Sequence, residues 1–265
     1  MDVLLEIDSL SVSYGGARGL DSVDLALARG ESVAVVGESG SGKSTLLRSV
    51  ARLLPPLATV ETGRIEFCGI DLLAVPDKAF RSLRGSRIAY VFQNGQDSLD
   101  PMFTVGRQLD EVLRAHGKEV SPTWGEGLLR KMGVEDPGRV LASRPRELSG
   151  GQCQRAAMAL AVACGPDLLL ADEPTGSLDE GARDKVGELL GGLNGDGGTT
   201  LVTVTHDIAF ASRVARRIAV MKDGRIVEEG PADRVVGHPS HPYTRRLLDA
   251  VPRAGRTFRR VCDGR

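Results

Sequence analysis

Apolar and polar positions alternate along this chain in two rhythms. Ser32 to Val36 is a near-continuous apolar run ending at Gly37, the pattern of a strand buried on both faces. Leu168 to Ala171 and Leu201 to Thr205 repeat it. Lys43 to Leu54 carries apolar residues at helical spacing and stops at Pro55-Pro56. Gln152 to Ala163 and Asp179 to Leu190 read as further helices. Residues 3 to 36 predict short strands with turns at 14–19 and 28–31; residues 60 to 92 predict strands around a helical insert at 78–84. From Asp97 to Glu147 helical patterns alternate with Pro and Gly breakers, which predicts a small helical lobe. Gly191 to Gly198 reads as a flexible turn, and Lys222-Asp223-Gly224 as the bend of a closing hairpin. Alternating strand and helix predicts an α/β fold with a largely parallel sheet.

Composition narrows the picture. The 265 residues carry 34 Lys+Arg against 35 Asp+Glu, so the net charge of −1 speaks against a protein that coats nucleic acid. Hydrophobic residues at 41% and charged residues at 26% suit a packed domain. MDVLLEIDSL lacks the basic start and unbroken apolar core of a signal peptide, and Ala156 to Cys164 is too short to span a bilayer. Cys68, Cys153, Cys164 and Cys262 are scattered and predict reduced thiols. The anomaly is glycine, 33 residues with no collagen-like period.

Part of that glycine has a chemical address. Gly37-Glu38-Ser39-Gly40-Ser41-Gly42-Lys43-Ser44 fits G-x-x-x-x-G-K-[ST] between a predicted strand and a predicted helix. Glycines let backbone N–H groups close on phosphate oxygens, and the helix N-terminus adds partial positive charge. In that frame Lys43 bridges the β- and γ-phosphates and Ser44 binds Mg²⁺. Asp172 and Glu173 follow a buried strand, where Asp172 supports the metal and Glu173 polarises a water. Ser149-Gly150-Gly151-Gln152 opens a helix and offers a second phosphate site. Gln93 ends the run Ile88 to Phe92 and reaches a metal or water; His206 follows the strand Leu201 to Thr205. Singly, each has a plain alternative: a surface Gln, a satisfied His, a Gly-Gly turn.

Taken together, these residues resemble the nucleotide-binding subunit of an ATP-binding cassette (ABC) protein over nearly the whole chain. The resemblance implies a P-loop NTPase with a RecA-like core of mainly parallel sheet, an N-terminal antiparallel β-subdomain and an inserted α-helical lobe. It divides the chain into core and β-subdomain at 1–93 and 153–235, a helical subdomain at 94–152 and a C-terminal extension at 236–265. It implies that Tyr14 stacks on adenine and that Gly37, Ser39, Gly40, Ser41, Gly42, Lys43, Ser44 and Thr45 form the phosphate loop. It makes Gln93 the Q-loop glutamine and a metal contact beside Ser44 and Asp172. Ser149, Gly150, Gly151 and Gln152 become the signature, Asp179 part of the D-loop, Glu173 the catalytic carboxylate and His206 the switch histidine. ATP and Mg²⁺ are the implied ligands, with ATP hydrolysis as the reaction. The signature of one chain is expected to cap the γ-phosphate held by a partner chain, in a head-to-tail dimer.

Two segments resemble one branch of that family. Gln93 to Pro101 is similar to the Q-x-P-x-x-S-L-[ND]-P run of dipeptide, oligopeptide and nickel importers, with Gly95 in the proline's place. His241-Pro242-Tyr243-Thr244 followed by Leu247-Leu248 resembles the same branch's C-terminal motif. His238 and His241 themselves read as turn and helix-capping residues. The branch implies membrane permeases, a second ATPase subunit of the same or a paralogous chain, an indirect soluble substrate-binding protein, no nucleic acid, and a peripheral place on the cytoplasmic face of the membrane. Met102 and Phe103 are expected to meet a permease helix. Peptides, nickel or a metal chelate are the expected cargo. The competing expectations are a non-transport ABC ATPase, such as one serving phosphonate degradation, and an exporter subunit.

Overall fold

The computed structural model describes residues 2–176, 178, 180–196 and 198–250. Its strands are β1 (Val3–Tyr14), β2 (Ala17–Ala28), β3 (Ser32–Val36), β4 (Ala58–Phe67), β5 (Ile70–Asp71), β6 (Ile88–Val91), β7 (Leu168–Asp172), β8 (Thr200–Thr205), β9 (Arg217–Lys222) and β10 (Arg225–Pro231). Its helices are α1 (Lys43–Val50), α2 (Asp77–Leu83), α3 (Val105–Ala115), α4 (Pro122–Lys131), α5 (Pro137–Ala142), α6 (Gly150–Val162), α7 (Glu180–Asp196), α8 (Ile208–Val214), α9 (Ala232–Gly237) and α10 (Pro242–Asp249).

Two sheets organise the molecule. One is antiparallel, in the order β2-β1-β4-β5; the other runs β10-β9-β3-β8-β7-β6, parallel from β9 to β6. The continuous apolar runs follow from this second sheet being covered on both faces. Val33 and Val35 of β3 pack towards the antiparallel sheet and α1, with Leu4, Leu20, Leu46 and Phe67. Ala34 and Val36 face the other way, into a cluster with Ala156, Met158 and Phe210 of α6 and α8. Each such buried Val, Leu or Phe contributes roughly 1.5–3 kcal/mol.

Several local expectations are corrected. The N-terminal strands are long, at 12 residues each, and keep pairing through irregularities in register; the turn shrinks to Gly15-Gly16. The helix predicted to Leu54 ends at Val50. Arg52 adopts a left-handed conformation (φ 51°) and Leu53 N–H returns to the Arg48 carbonyl at 2.8 Å, closing the helix before the prolines. The Arg52 guanidinium supports that turn by donating to Val75 O at 2.7 Å and Asp77 at 2.8 Å. Gly191 and Gly192 lie inside α7, because buried Val186 and Leu190 hold the helix against the core. The short helices α8 and α9 carry no sequence signal, because six or seven residues are too few for a periodicity; α10 follows the cap expected at His241.

Candidate functional site

Parallel pairing brings four strand ends to one edge. Val36 of β3 pairs with Thr205 of β8, Asp172 of β7 with Val204, and Val91 of β6 with Ala171. The residues that follow these ends therefore converge, as expected for the ligand crevice of an open α/β sheet. They line a cavity of about 680 Å³: Gly37, Ser39, Gly40, Gly42, Lys43, Ser44 and Thr45 from the loop and α1, with Gln93, Glu173 and His206 opposite. Glu38, a free position of the predicted loop, and Leu247, which was not predicted to reach it, complete the lining.

The loop's glycines serve two purposes. Gly42 adopts φ 105°, a conformation other residues rarely take, and so turns the chain into α1. Gly37 is required by space: a Cβ there would stand 2.2 Å from the Met221 carbonyl of β9. Lys43, 6% exposed, donates through Nζ to the carbonyls of Gly37 (2.9 Å) and Glu38 (2.8 Å). Burial pushes its ammonium pKa down, against the pull of the Glu173, Asp172 and Glu38 carboxylates. The Ser41 hydroxyl is buried and has no partner among the described residues.

The carboxylates are held differently. Asp172 ends β7 and accepts from Ser44 Oγ (2.7 Å) and Tyr90 Oη (2.7 Å), with an Arg48 nitrogen at 3.8 Å. Burial, followed by the neighbouring Asp172 carboxylate, raises the Tyr90 pKa far above its ordinary value. Glu173 takes a left-handed conformation (φ 45°), the kind of backbone strain that clusters at working sites. Its side chain turns to His206, whose Nδ1 lies 3.1 and 3.0 Å from the two carboxylate oxygens. A carboxylate only accepts, so Nδ1 carries the proton. The other ring nitrogen is left for the cavity on a side chain 68% exposed. Thr205 and Asp207 fix this strand end, receiving Asp207 N–H (3.0 Å) and Phe210 N–H (2.9 Å).

The remaining predicted residues sit at graded distance. Tyr14 does not line the cavity; its hydroxyl shares a 2.9 Å hydrogen bond with Thr45, while its ring crowds Gly19. Gln93 is exposed beside Gly176. Ser149, Gly150, Gly151 and Gln152 lie outside the cavity lining. They form a capping box at the start of α6, Ser149 Oγ accepting from Gln152 N–H (3.3 Å) and Gln152 Oε1 from Ser149 N–H (3.0 Å). Ser177 and Asp179 lie outside the described residues.

Gln154 was missed. It is fully buried on α6, donates to Phe92 O at 3.4 Å, and packs so closely that a Cβ at Gly95 would lie 2.5 Å from its Cα. The Gly95 departure from proline thus matches a backbone-to-backbone contact. Tyr90 and Arg48 were missed because nothing local distinguishes them; only strand pairing and α1 bring them to Asp172. Gln108 was missed for the same reason, its side chain holding Asp100 N–H (2.8 Å) and the carbonyls of Asp100 (2.9 Å) and Phe103 (3.0 Å).

Residues 20–176 match the family model described as ABC transporter. The chain belongs to the ABC transporter ATPase family. Residues 227–262 match a second model, the C-terminal region of oligopeptide/dipeptide transporters. The ABC chain is 43% identical to the peptidoglycan transport ATP-binding protein YejF of Agrobacterium fabrum, with 94% of this chain and 47% of that protein aligned. It thus spans about half of that relative. It is 39% identical to the dipeptide transport ATP-binding protein DppD of Escherichia coli, covering 94% of this chain and 78% of that one. Among solved structures, the ATP-binding cassette MJ0796 in a dimeric post-hydrolysis state with ADP and Pi aligns at TM-score 0.77, 31% identity, 86% of this chain and 99% of that one. CbiO1 of Clostridium perfringens aligns at 0.77 and 27% identity, covering 96% and 98%. The α/β P-loop fold and the family's ATP hydrolase activity expected above are those of this ABC chain.

The donor set suits the family's ligands. The phosphate loop surrounds a cavity whose cation, Lys43, is already desolvated. The hydroxyl–carboxylate pair Ser44–Asp172, 2.7 Å apart, offers hard oxygen donors of the type Mg²⁺ prefers.

Proposed function

We propose that this chain is the ATP-hydrolysing subunit of a peptide importer. The convergence of the phosphate loop, Gln93, Glu173 and His206 on one cavity supports the nucleotide role most directly. The C-terminal match and the relatives' names favour peptides over nickel or a metal chelate. The phosphonate reading has no such support.

In this reading Lys43 and the loop N–H groups hold the ATP phosphates, and Tyr14 meets the adenine. Ser44, Asp172 and Gln93 hold Mg²⁺, which neutralises phosphate charge when bound. Glu173 accepts a proton from water as the water oxygen bonds to the γ-phosphorus and the bond to the bridging oxygen breaks, leaving ADP and phosphate. His206 orients Glu173 and presents its second nitrogen to the phosphate. Ser149, Gly150, Gly151 and Gln152, with Asp179, complete the site of a partner chain, so that closure is ATP-dependent. The helical subdomain, taken as 94–152, docks on a permease through Met102, which is 71% exposed, and Phe103, which lies under the Arg107 guanidinium at 4.0 Å. No helix among the described residues is long and apolar enough to cross a membrane. The proposed place of work is the cytoplasmic membrane face, beside permeases and with a soluble binding protein as indirect partner.

The test is nucleotide-dependent dimerisation. With ATP and Mg²⁺, a Glu173→Gln chain, alone or mixed with its paralogue, runs as a stable dimer in sizing chromatography. A monomer at saturating ATP in every pairing refutes the composite site. Phe103→Asp is expected to reduce co-purification with the permeases, and undiminished complex counts against that dock.

A further inference from the structure

The C-terminal end of the described chain reaches back to the phosphate loop. Glu228 of β10 gathers the turn before α10: Oε1 accepts from the Ser240 N–H and hydroxyl, both at 2.7 Å, and Oε2 accepts from His241 N–H at 3.0 Å. His241 then caps α10, its Nδ1 accepting from Tyr243 N–H at 3.2 Å. These contacts determine where Tyr243 points. The side chain is 3% exposed, lies 5.6 Å below the Lys222 ammonium, and its hydroxyl accepts from Glu38 N–H at 3.0 Å. One helical turn on, Leu247 lines the nucleotide cavity.

The same stretch of loop is held from the other side. The Glu38 carbonyl accepts from Lys43 Nζ at 2.8 Å. Glu38 thus has its N–H tied to α10 and its C=O tied to the phosphate-binding lysine. Further along, Gly224 N–H of the β9–β10 bend donates to Ser41 O at 3.0 Å. Two tethers from the C-terminal half therefore span the loop. The enclosed loop is the part that has to be ordered before phosphate oxygens find their donors, so fixing it in advance reduces the entropy lost on binding.

We propose that Tyr243 is a positioning residue for nucleotide binding, its hydroxyl holding the Glu38 N–H so that the loop and Lys43 are preset for phosphate. This rests on the ATP-binding reading above. By linkage, nucleotide in turn tightens the docking of α10 on the loop.

Tyr243→Phe in the full chain removes one oxygen and keeps the packed ring. We expect the dissociation constant for Mg-ATP to rise about three- to tenfold, the range for one neutral hydrogen bond. KM should rise by a similar factor, with kcat changing less. Hydrogen exchange of the α10 amides should slow on adding ATP to the unmodified chain and slow much less in the variant, a response that mere structural support of α10 does not produce. An unchanged dissociation constant, with α10 exchange indifferent to ATP in both proteins, overturns the proposal. If Tyr243→Phe lowers the melting temperature enough to confuse the comparison, Glu228→Gln decides. It loosens the turn without touching the ring or loop, and should weaken ATP in the same direction by a smaller factor; unchanged affinity overturns the proposal. An unmodified chain that fails to bind ATP defeats the underlying reading, whereas normal binding by it together with an unaffected variant defeats only the role of Tyr243.

Discussion

The strand-end edge and the tip of α6 are both glycine-rich helix N-termini, yet they are finished to different degrees. At the edge, Lys43, Asp172 and Glu173 are buried and each is bonded within the chain. At the α6 tip, Ser149 and Gly150 are exposed, a Cβ at Gly150 would meet nothing within 4 Å, and the bonds present are those of the capping box. The first is a site preorganised by its own fold. The second is a helix start whose Ser149 and Gln152 N–H groups are already bonded, with open space above Gly150 for another molecule. The composite two-chain site proposed above would have this asymmetry built in, one half rigid and one half open.

The largest expected effect tests the edge. Glu173→Gln should lower kcat by about 10²–10⁴-fold, the usual contribution of a positioned general base, while ATP still binds. A steady-state rate near that of the unmodified chain removes Glu173 from the catalytic role. Lys43→Ala should weaken nucleotide binding by about 10- to 100-fold, the range for a lost charge-assisted bond, as read by titration with a fluorescent ATP analogue. Gly95→Ala probes the bridge between the two regions. A Cβ there meets the Gln154 backbone at 2.5 Å, so about 1–3 kcal/mol of stability should be lost in denaturant unfolding. A neutral result would mean the loop moves aside freely.

Ser149→Ala should cost about 1 kcal/mol through the lost cap of α6. If the open tip works on a partner's phosphate, the same change lowers turnover in the dimer and leaves ATP affinity of the monomer unchanged; equal loss in both would erase the distinction. The smallest effect concerns the arm that supports the edge. Burial pushes the Glu228 carboxyl up, but the Thr244 hydroxyl, with the Ser240 and His241 donors, outweighs it and brings the pKa to about 2 from an ordinary 4.5. Because the folded value is depressed, this group's stabilisation is present above about pH 4.5 and is lost as pH falls towards 2. The acid limb of a melting-temperature profile should therefore flatten in Glu228→Gln, and an unaltered limb would show that the turn is not held this way.

The legible parts of the site share a property. Gly37 to Ser44 and Asp172-Glu173 are contiguous, as is the Ser149 to Gln152 stretch proposed for a partner's site, and their chemistry needs neighbours in the chain at set spacing. His206 and Gln93 were legible because each directly follows an apolar run that had to be a strand. What escaped notice acts across distance. Tyr90 meets Asp172 across 82 positions and Tyr243 meets Glu38 across 205. The His-Pro-Tyr-Thr stretch resembles a branch marker, and the His241 cap inside it is what aims Tyr243 at the loop. Helix ends were misplaced where a side chain stabilises an unusual backbone, as at Arg52, or where packing overrides weak propensity, as at Gly191-Gly192.

By itself the sequence determined the sheet class, the phosphate loop, the paired acids and the helix-opening signature, because local periodicity and spacing encode strands, turns and helix starts. Only the tertiary structure decided which strand ends are neighbours, that Gly37 and Gly95 answer to backbone on other elements, and that α10 closes over the loop. Those are facts of packing between segments far apart in the chain. Pair contacts of that kind depend on the folded register, which no short window of residues contains.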